Sequence, residues 1–206
     1  MKNVLIYYAT TEGQTAKIAE AIAQELAELG FAVHLVRSGD AEWTIADEPC
    51  DGVILGSSVH RGRYPEAFRR QVARNAEKLR EIPVAFFSVC LGVLETENVK
   101  TQEAERGIVR DFLEDAGIRP VHRGIFAGAL RYSQYGLFKR VLLHAIAKRA
   151  GRETRTDRDY EFTDWEEVKG FARDFADHLK GKRGAIRNFP GAFRTNDDGG
   201  KNERPF

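Results

Sequence analysis

The sequence predicts an α/β fold built on a parallel β-sheet. Short apolar, β-branched runs alternate along the chain with segments of helical periodicity, which is the pattern of strands joined by crossover helices. The chain has 206 residues, of which 42% are hydrophobic and 31% are charged. This composition is typical of one globular domain with extensions.

Five strands and four helices follow from the pattern. The strands are predicted near Lys2–Tyr8, Ala32–Val36, Gly52–Gly56, Val84–Val89 and Gly124–Ala127. The helices are predicted near Gln14–Leu29, Pro65–Leu79, Thr101–Ala116 and Asp164–Leu179. Crossover connections between five such strands predict a doubly wound sheet in the order 2-1-3-4-5, with helices on both faces.

The first strand ends in a hydroxyl-rich loop that opens a helix. Unpaired backbone N–H groups and the positive end of the helix dipole make such a loop an anion cradle. A dinucleotide fingerprint and a P-loop lysine are both absent, so a single phosphomonoester suits the loop best. An ordinary N-capped helix is the alternative interpretation. The candidate ligands are Thr10, Thr11, Glu12, Gly13, Gln14 and Thr15.

Thr10, Gly13 and Thr15 stand in the register of the phosphate loop of flavodoxins, which this segment resembles. The resemblance implies a flavodoxin-like fold and FMN as cofactor. Glu12 occupies a position where many flavodoxins carry Thr or Ser. We expect its carboxylate to point away from the phosphate, leaving only its amide as a donor.

A sheet of this order binds ligands outside the carboxyl ends of strands one, three and four. Small residues that permit close backbone approach follow the third and fourth strands, together with His60 and Tyr64 as candidates to flank an isoalloxazine ring. Two cysteines without CxxC or CxxH context predict neither disulfide nor metal site. The cofactor candidates in these loops are Ser57, Ser58, His60, Gly62, Tyr64, Ser88, Val89, Cys90, Leu91 and Gly92.

A basic segment departs from the plan of a simple flavodoxin. Between Arg119 and Arg152 the chain carries eight lysines and arginines and no Asp or Glu. Within it, Leu137–Arg149 has helical periodicity with one apolar face and one basic face. Such a helix suits an anionic membrane surface or an acidic, partly apolar ligand, or it packs on its own domain with a solvated basic side. No nucleic-acid-binding motif is present, so nucleic acid is not an expected partner.

Two sequence blocks indicate a particular group within the flavodoxin-like proteins. The residues AGALRYSQY at 127–135 and TDWE at 163–166 resemble the flavodoxin-like menaquinone-dependent protoporphyrinogen oxidase family, and the resemblance spans roughly Lys2 to Leu179. It implies oxidation of protoporphyrinogen IX to protoporphyrin IX in haem biosynthesis, with electrons passed to a membrane quinone, menaquinone or ubiquinone. We expect Arg131, Tyr132 and Tyr135 to border the substrate approach. No catalytic base stands out.

The expected organisation is a flavodoxin-like FMN-binding domain at 1–180 with an insert at about 128–159, followed by a flexible tail at 181–206. The longest apolar window, Val84–Leu94, is shorter than the roughly 20 residues that span a bilayer. We therefore expect a cytoplasmic protein bound peripherally to the inner face of the cell membrane. A NAD(P)H:quinone or flavin reductase and a non-catalytic electron carrier are the alternatives. The oligomeric state stays open, a homo-oligomer included.

Overall fold

A five-stranded parallel sheet forms the centre of the protein. The computed structural model describes residues 1–40, 44–45, 50–94, 98–130 and 160–181. Within them the sheet has the order β2-β1-β3-β4-β5, and all four neighbouring pairs are parallel. The predicted fold and strand order are confirmed. The strands are β1 (Asn3–Ala9), β2 (Ala32–Arg37), β3 (Gly52–Ser58), β4 (Val84–Cys90) and β5 (His122–Ala127).

Helices cover both faces of the sheet. Alternate residues of a strand point to opposite faces, so Leu5 and Tyr7 of β1 join one core while Val4 and Ile6 join the other. The first core packs against α2 and α4, and the second against α1 and α5. The helices are α1 (Gln14–Glu28), α2 (Glu66–Arg74), α3 (Ala76–Leu79), α4 (Val99–Asp115) and α5 (Trp165–Leu179), with a 3₁₀ turn at Gly92–Leu94.

Helix α1 begins and ends close to its predicted limits. Its apolar residues recur at helical spacing, so that Ile18, Ile22 and Leu26 are fully buried. Beyond its end, the Phe31 N–H donates to the Leu26 carbonyl at 3.1 Å, the six-residue bond of a Schellman motif around Gly30. The helix was predicted to end at Leu29, which is its C-cap.

A glycine and a phenylalanine lie side by side in the middle of the sheet. Gly56 of β3 is paired with Phe87 of β4, and a Cβ at position 56 would lie 2.0 Å from the Phe87 ring. The ring therefore covers the backbone where a side chain would otherwise stand. Phe87 is fully buried, and its ring contacts the rings of Phe126 and Phe171.

The helix predicted at Pro65–Leu79 is divided at Asn75 into α2 and α3. The Asn75 side chain is buried, donates to the Gln71 carbonyl at 2.9 Å and accepts the Ile45 N–H at 3.0 Å. An asparagine side chain that bonds to backbone groups competes with helical hydrogen bonds. The break thus follows from a contact with a distant part of the chain.

A second, two-stranded sheet was not predicted. Strands β6 (Ala129–Leu130) and β7 (Tyr160–Glu161) pair antiparallel, with Leu130 opposite Tyr160. This root hairpin, as we call β6 and β7, brings the two ends of segment 131–159 together. The predicted helix Leu137–Arg149 and the tail from residue 182 lie outside the described residues. Among the described helices, none is both long enough and apolar enough to cross a bilayer.

Candidate functional site

Three strand ends meet at one edge of the sheet. Ala9 of β1 is paired with Ser57 of β3, and Ser57 is paired with Ser88 of β4. The loops that follow these strands therefore leave the sheet next to one another. This is the switch-point crevice at which doubly wound sheets bind their ligands.

Residues Thr10–Thr15 form what we call the threonine turn. The Thr10 hydroxyl accepts the Gly13 N–H at 2.9 Å and closes the turn. Gly13 has φ +92° and stands at the N-cap of α1, where no side chain caps the helix. The first N–H groups of α1 have no intrahelical acceptor and lie at the positive end of its dipole. An anion is the complementary ligand for such a turn.

The Thr15 hydroxyl adds a second signal. Thr15 is 1% exposed, and its Oγ1 atom is buried without a hydrogen-bond partner among the described residues. Buried polar atoms are rarely left unpaired, because each costs roughly 1–3 kcal/mol. An unpaired hydroxyl beside uncapped amides fits a phosphate oxygen.

The other side chains of the turn are directed differently. Thr11 is exposed and Glu12 is half-buried. Gln14 is buried, and its Nε2 donates at 2.8 Å to the hydroxyl of Thr163, which in turn donates to the Ala127 carbonyl at 2.8 Å. Gln14 thus leaves only its backbone N–H for a ligand. Thr163 was not among the site residues predicted from the sequence, although the TDWE block contains it.

The loop after β3 turns back on itself. His60 and Arg63 exchange two backbone hydrogen bonds of 3.0 and 3.2 Å around Arg61 (φ 51°) and Gly62 (φ 75°), as in a type I′ turn. Arg61 alone among the described non-glycine residues has positive φ, which costs an arginine about 1 kcal/mol. The tight turn places His60, which is half-buried, at the loop's base.

Two serines at the end of β3 differ in their hydroxyl contacts. The Ser57 side chain is buried and donates to the Ser58 carbonyl at 3.3 Å. The Ser58 Oγ is buried without a partner among the described residues. Ser58 therefore has a hydroxyl that a ligand at the crevice would pair.

Tyr64 lies in the core instead of at the rim of the crevice. It is 2% exposed, its ring contacts Phe86 and Phe112, and its hydroxyl donates to the Ser88 Oγ at 2.9 Å. Burial raises the pKa of the Tyr64 hydroxyl. In this position the ring packs against neighbouring aromatic side chains.

Cys90, at the end of β4, lies beside a carboxyl group that the sequence analysis did not single out. Burial raises the pKa of the Cys90 thiol, which is hydrogen-bonded to Glu105 of α4. Burial also raises the pKa of Glu105, whose Oε2 has no partner in the described part of the chain. Its spacing of four and seven residues from Val109 and Phe112, both buried, was the signal for an inward position.

The loop after β4, which was also predicted to contact the flavin, consists of backbone groups and small or aliphatic side chains. Val89 is buried, and Leu91 and Gly92 are half-buried. The Glu105 carboxyl packs so close to Gly92 that a Cβ there would lie 2.5 Å from its Oε1. The candidate site thus combines a polar, open threonine turn with a β4 loop that presents mainly backbone.

The comparison with known families matches this geometry. The flavodoxin domain family matches residues 5–157. The chain belongs to the flavodoxin family. Membership indicates a flavin cofactor, and the open end of the threonine turn, with its unpaired Thr15 hydroxyl, fits the phosphate of one.

Two relatives resemble this flavodoxin-family chain over most of its length. The protoporphyrinogen IX dehydrogenase (quinone) of Escherichia coli strain K12 is 37% identical over 181 residues, covering 86% of this chain and 96% of the relative. The Leishmania major protein of the same name is 35% identical over 175 residues, covering 84% of this chain and 74% of the relative.

Solved structures agree on the fold. Oxidised flavodoxin 1 from Bacillus cereus superposes with a TM-score of 0.53 at 19% identity, covering 85% of this chain and 98% of that one. Rubredoxin oxygen:oxidoreductase from Desulfovibrio gigas gives a TM-score of 0.54 at 16% identity over 90% of this chain, which spans 38% of the oxidoreductase. At these identities the likeness concerns architecture alone.

Proposed function

We propose that this protein is an FMN-dependent dehydrogenase that oxidises protoporphyrinogen IX to protoporphyrin IX and passes the electrons to a quinone. The observation that carries the proposal is the 37% identity, over 86% of the chain, with a protein named protoporphyrinogen IX dehydrogenase (quinone). The same name belongs to the 35% identical relative from a distant organism. Both relatives are matched over most of their own length, which supports a shared activity.

The threonine turn supports FMN as the flavin. The Thr10 and Thr15 hydroxyls and the N–H groups of Gln14 and Thr15 would hold its phosphate, and the α1 dipole would favour its charge. No lysine stands in the turn, which suits a monophosphate better than a longer phosphate chain. The bound flavin supplies the redox chemistry by accepting a hydride equivalent from the substrate.

The loops after β3 and β4 would border the isoalloxazine ring. The half-buried residues His60 and Leu91 and the exposed Gly62 lie in these loops, beside the Gly92 backbone and the unpaired Ser58 hydroxyl. This side of the site would contribute shape and backbone donors. Charge recognition belongs to the threonine turn.

Segment 131–159 would supply the substrate side. We assign Arg131, Tyr132 and Tyr135 to the approach of the tetrapyrrole, whose two propionates suit arginine partners. The basic helix predicted at Leu137–Arg149 would rest on the anionic inner face of the cell membrane, where menaquinone or ubiquinone is dissolved. The enzyme would then be a peripheral membrane protein in the cytoplasm.

An anaerobic assay tests the whole proposal. The purified protein should be yellow, release FMN on denaturation, and reduce a menaquinone analogue when protoporphyrinogen IX is supplied. Arg131→Ala should lower turnover and leave the FMN content intact. Turnover with NADPH in the absence of tetrapyrrole would instead identify a reductase, and protein that binds no FMN at saturation would refute the proposal.

The root hairpin permits a sharper version of this test. Leu130 and Tyr160 are directly paired, so segment 131–159 can be replaced by a two-residue Asn-Gly turn. We expect this variant to bind FMN with wild-type affinity, because the threonine turn is intact, and to lose tetrapyrrole turnover. If the shortened protein still oxidises protoporphyrinogen at the wild-type rate, the segment has no role in substrate binding.

A further inference from the structure

Thr163 joins three distant parts of the chain through one hydroxyl group. It lies between β7 and α5, donates to the Ala127 carbonyl at the end of β5, and accepts from Gln14 Nε2, each at 2.8 Å. A hydroxyl has one proton, and here it is used on the carbonyl. The amide nitrogen of Gln14 must therefore be the donor, which fixes the orientation of that side chain.

Gln14 is the first residue of α1, so this contact fixes the start of the helix. The side chain is 7% exposed, and its partner is 149 positions away in the sequence. Gly13 provides no side-chain cap, and the Thr10–Gly13 bond is internal to the threonine turn. The Gln14 side chain is also hydrogen-bonded to the Glu161 carboxylate. Of its two contacts, the one with Thr163 ties the threonine turn to the end of β5.

A neighbouring contact reinforces the same junction but carries less weight. Lys17, one turn further along α1, forms an ion pair of 2.7 Å with Glu161 of β7, and Trp165 Nε1 donates to the same carboxylate at 3.0 Å. The Lys17 side chain is 57% exposed. Exposed ion pairs contribute little to stability, so the half-buried bond of Thr163 is the stronger constraint.

We propose that Thr163 is a positioning residue for the phosphate of FMN. It holds Gln14, and Gln14 holds the first N–H groups of α1 and the adjacent Thr15 hydroxyl where a phosphomonoester meets them. The inference rests on the FMN assignment made above. The inference also assigns a role to each of the first two residues of the TDWE block. Thr163 would orient the threonine turn, and Asp164 caps α5 by accepting the N–H groups of Glu166 and Glu167.

Riboflavin has the ring and ribityl chain of FMN without the phosphate. Comparing the two flavins therefore separates a loss of phosphate binding from a loss of flavin binding as a whole. The measurement is the dissociation constant of each flavin for the full-length apo-protein, by quenching of flavin fluorescence. Thr163→Val, which keeps the shape and removes both hydrogen bonds, should weaken FMN binding roughly tenfold and leave riboflavin binding nearly unchanged. Thr163→Ser should restore the wild-type FMN affinity.

Two further variants keep the test decisive. Gln14→Met removes the other end of the same bond together with the Gln14 contact to Glu161, so it should weaken FMN binding at least as much, and the double variant should lose no more than Gln14→Met alone. Asp164→Ala is the matched control: it removes the adjacent cap of α5, lowers the melting temperature and should leave the ratio of the two constants unchanged.

Three results would overturn the inference. Equal losses of FMN and riboflavin would show a purely structural role for Thr163. Unchanged FMN affinity in both Thr163→Val and Gln14→Met would show that the bond is irrelevant to the phosphate. A wild-type protein that binds FMN no more tightly than riboflavin would refute the FMN assignment itself, and the positioning role with it.

Discussion

The threonine turn and the polar groups around the end of β4 lie at the same edge of the sheet, yet they are built in opposite ways. The turn has an uncapped helix start and a buried Thr15 hydroxyl without a partner in the described structure. Around β4, the hydroxyl of Tyr64 is paired with Ser88, and the thiol of Cys90 is paired with Glu105. We call these last four residues the β4 cluster.

The difference favours the threonine turn as the half of the crevice that would take an anion. In the threonine turn, the Thr15 hydroxyl has no partner among the described residues and the first N–H groups of α1 have no intrahelical acceptor, so an anion can pair with both. In the β4 cluster, burial raises the pKa of Tyr64, Cys90 and Glu105, which favours their neutral, protonated forms. Tyr64 is hydrogen-bonded to Ser88, and Cys90 to Glu105. These pairs lie within the cluster and support the loop that follows β4.

The largest effect should come from Thr15→Val. Its hydroxyl would donate to a charged phosphate oxygen, a bond worth about 1.5–3 kcal/mol, so FMN affinity should fall by roughly 10- to 100-fold. Riboflavin affinity should stay the same. The apo-protein should be no less stable than the wild type, because a buried unpaired hydroxyl is removed. Flavin titration and thermal unfolding check both points, and an unchanged FMN affinity would remove Thr15 from the site.

Tyr64→Phe should have a smaller effect, and it should change the stability of the protein and not its affinity for FMN. It leaves the buried Ser88 hydroxyl without its donor, so the free energy of unfolding should drop by about 1–2 kcal/mol, measured by urea denaturation. Adding Ser88→Ala should recover part of this loss, since both partners are then apolar. The ratio of FMN to riboflavin affinity should not change. A selective loss of FMN would mean that the β4 cluster does contact the phosphate.

The smallest effect should be that of Glu105→Gln on the pH dependence of stability. Burial raises the pKa of Glu105 in the folded protein, so its contribution is fully present below the unfolded pKa and is lost as pH rises through the folded one. The glutamine variant cannot ionise. It should therefore be more stable than wild type at pH 8, with the difference vanishing near about pH 4, in unfolding experiments on apo-protein. A difference that grows on acidification would contradict the burial of a protonated carboxyl.

The parts of the molecule that local patterns govern were predictable. The strands followed from short apolar runs, and the helix limits at Leu29 and Asp164 followed from the periodic segments that end and begin there. The threonine turn could be located because its hydroxyls and glycine are contiguous in the sequence. Whether these side chains bind a flavin stays a prediction.

Features that depend on long-range contacts were not predictable. The break at Asn75 depends on Ile45, thirty positions away, and the role of Thr163 depends on Gln14. Tyr64 was expected beside a ring because aromatic residues near a crevice often are. Tyr64 instead follows the type I′ turn at Arg61–Gly62 and lies in the core. The local sequence does not indicate whether the residue after such a turn is buried or exposed.

The contact between Gly56 and Phe87 constrains how this family member can diverge. With only 2.0 Å between the Phe87 ring and a Cβ at position 56, no side chain can be added at position 56 without displacing that ring. Alanine at position 56 should be tolerated only together with a smaller residue at position 87. Across homologous chains the two positions should therefore covary in volume, with a larger residue at one accompanied by a smaller residue at the other.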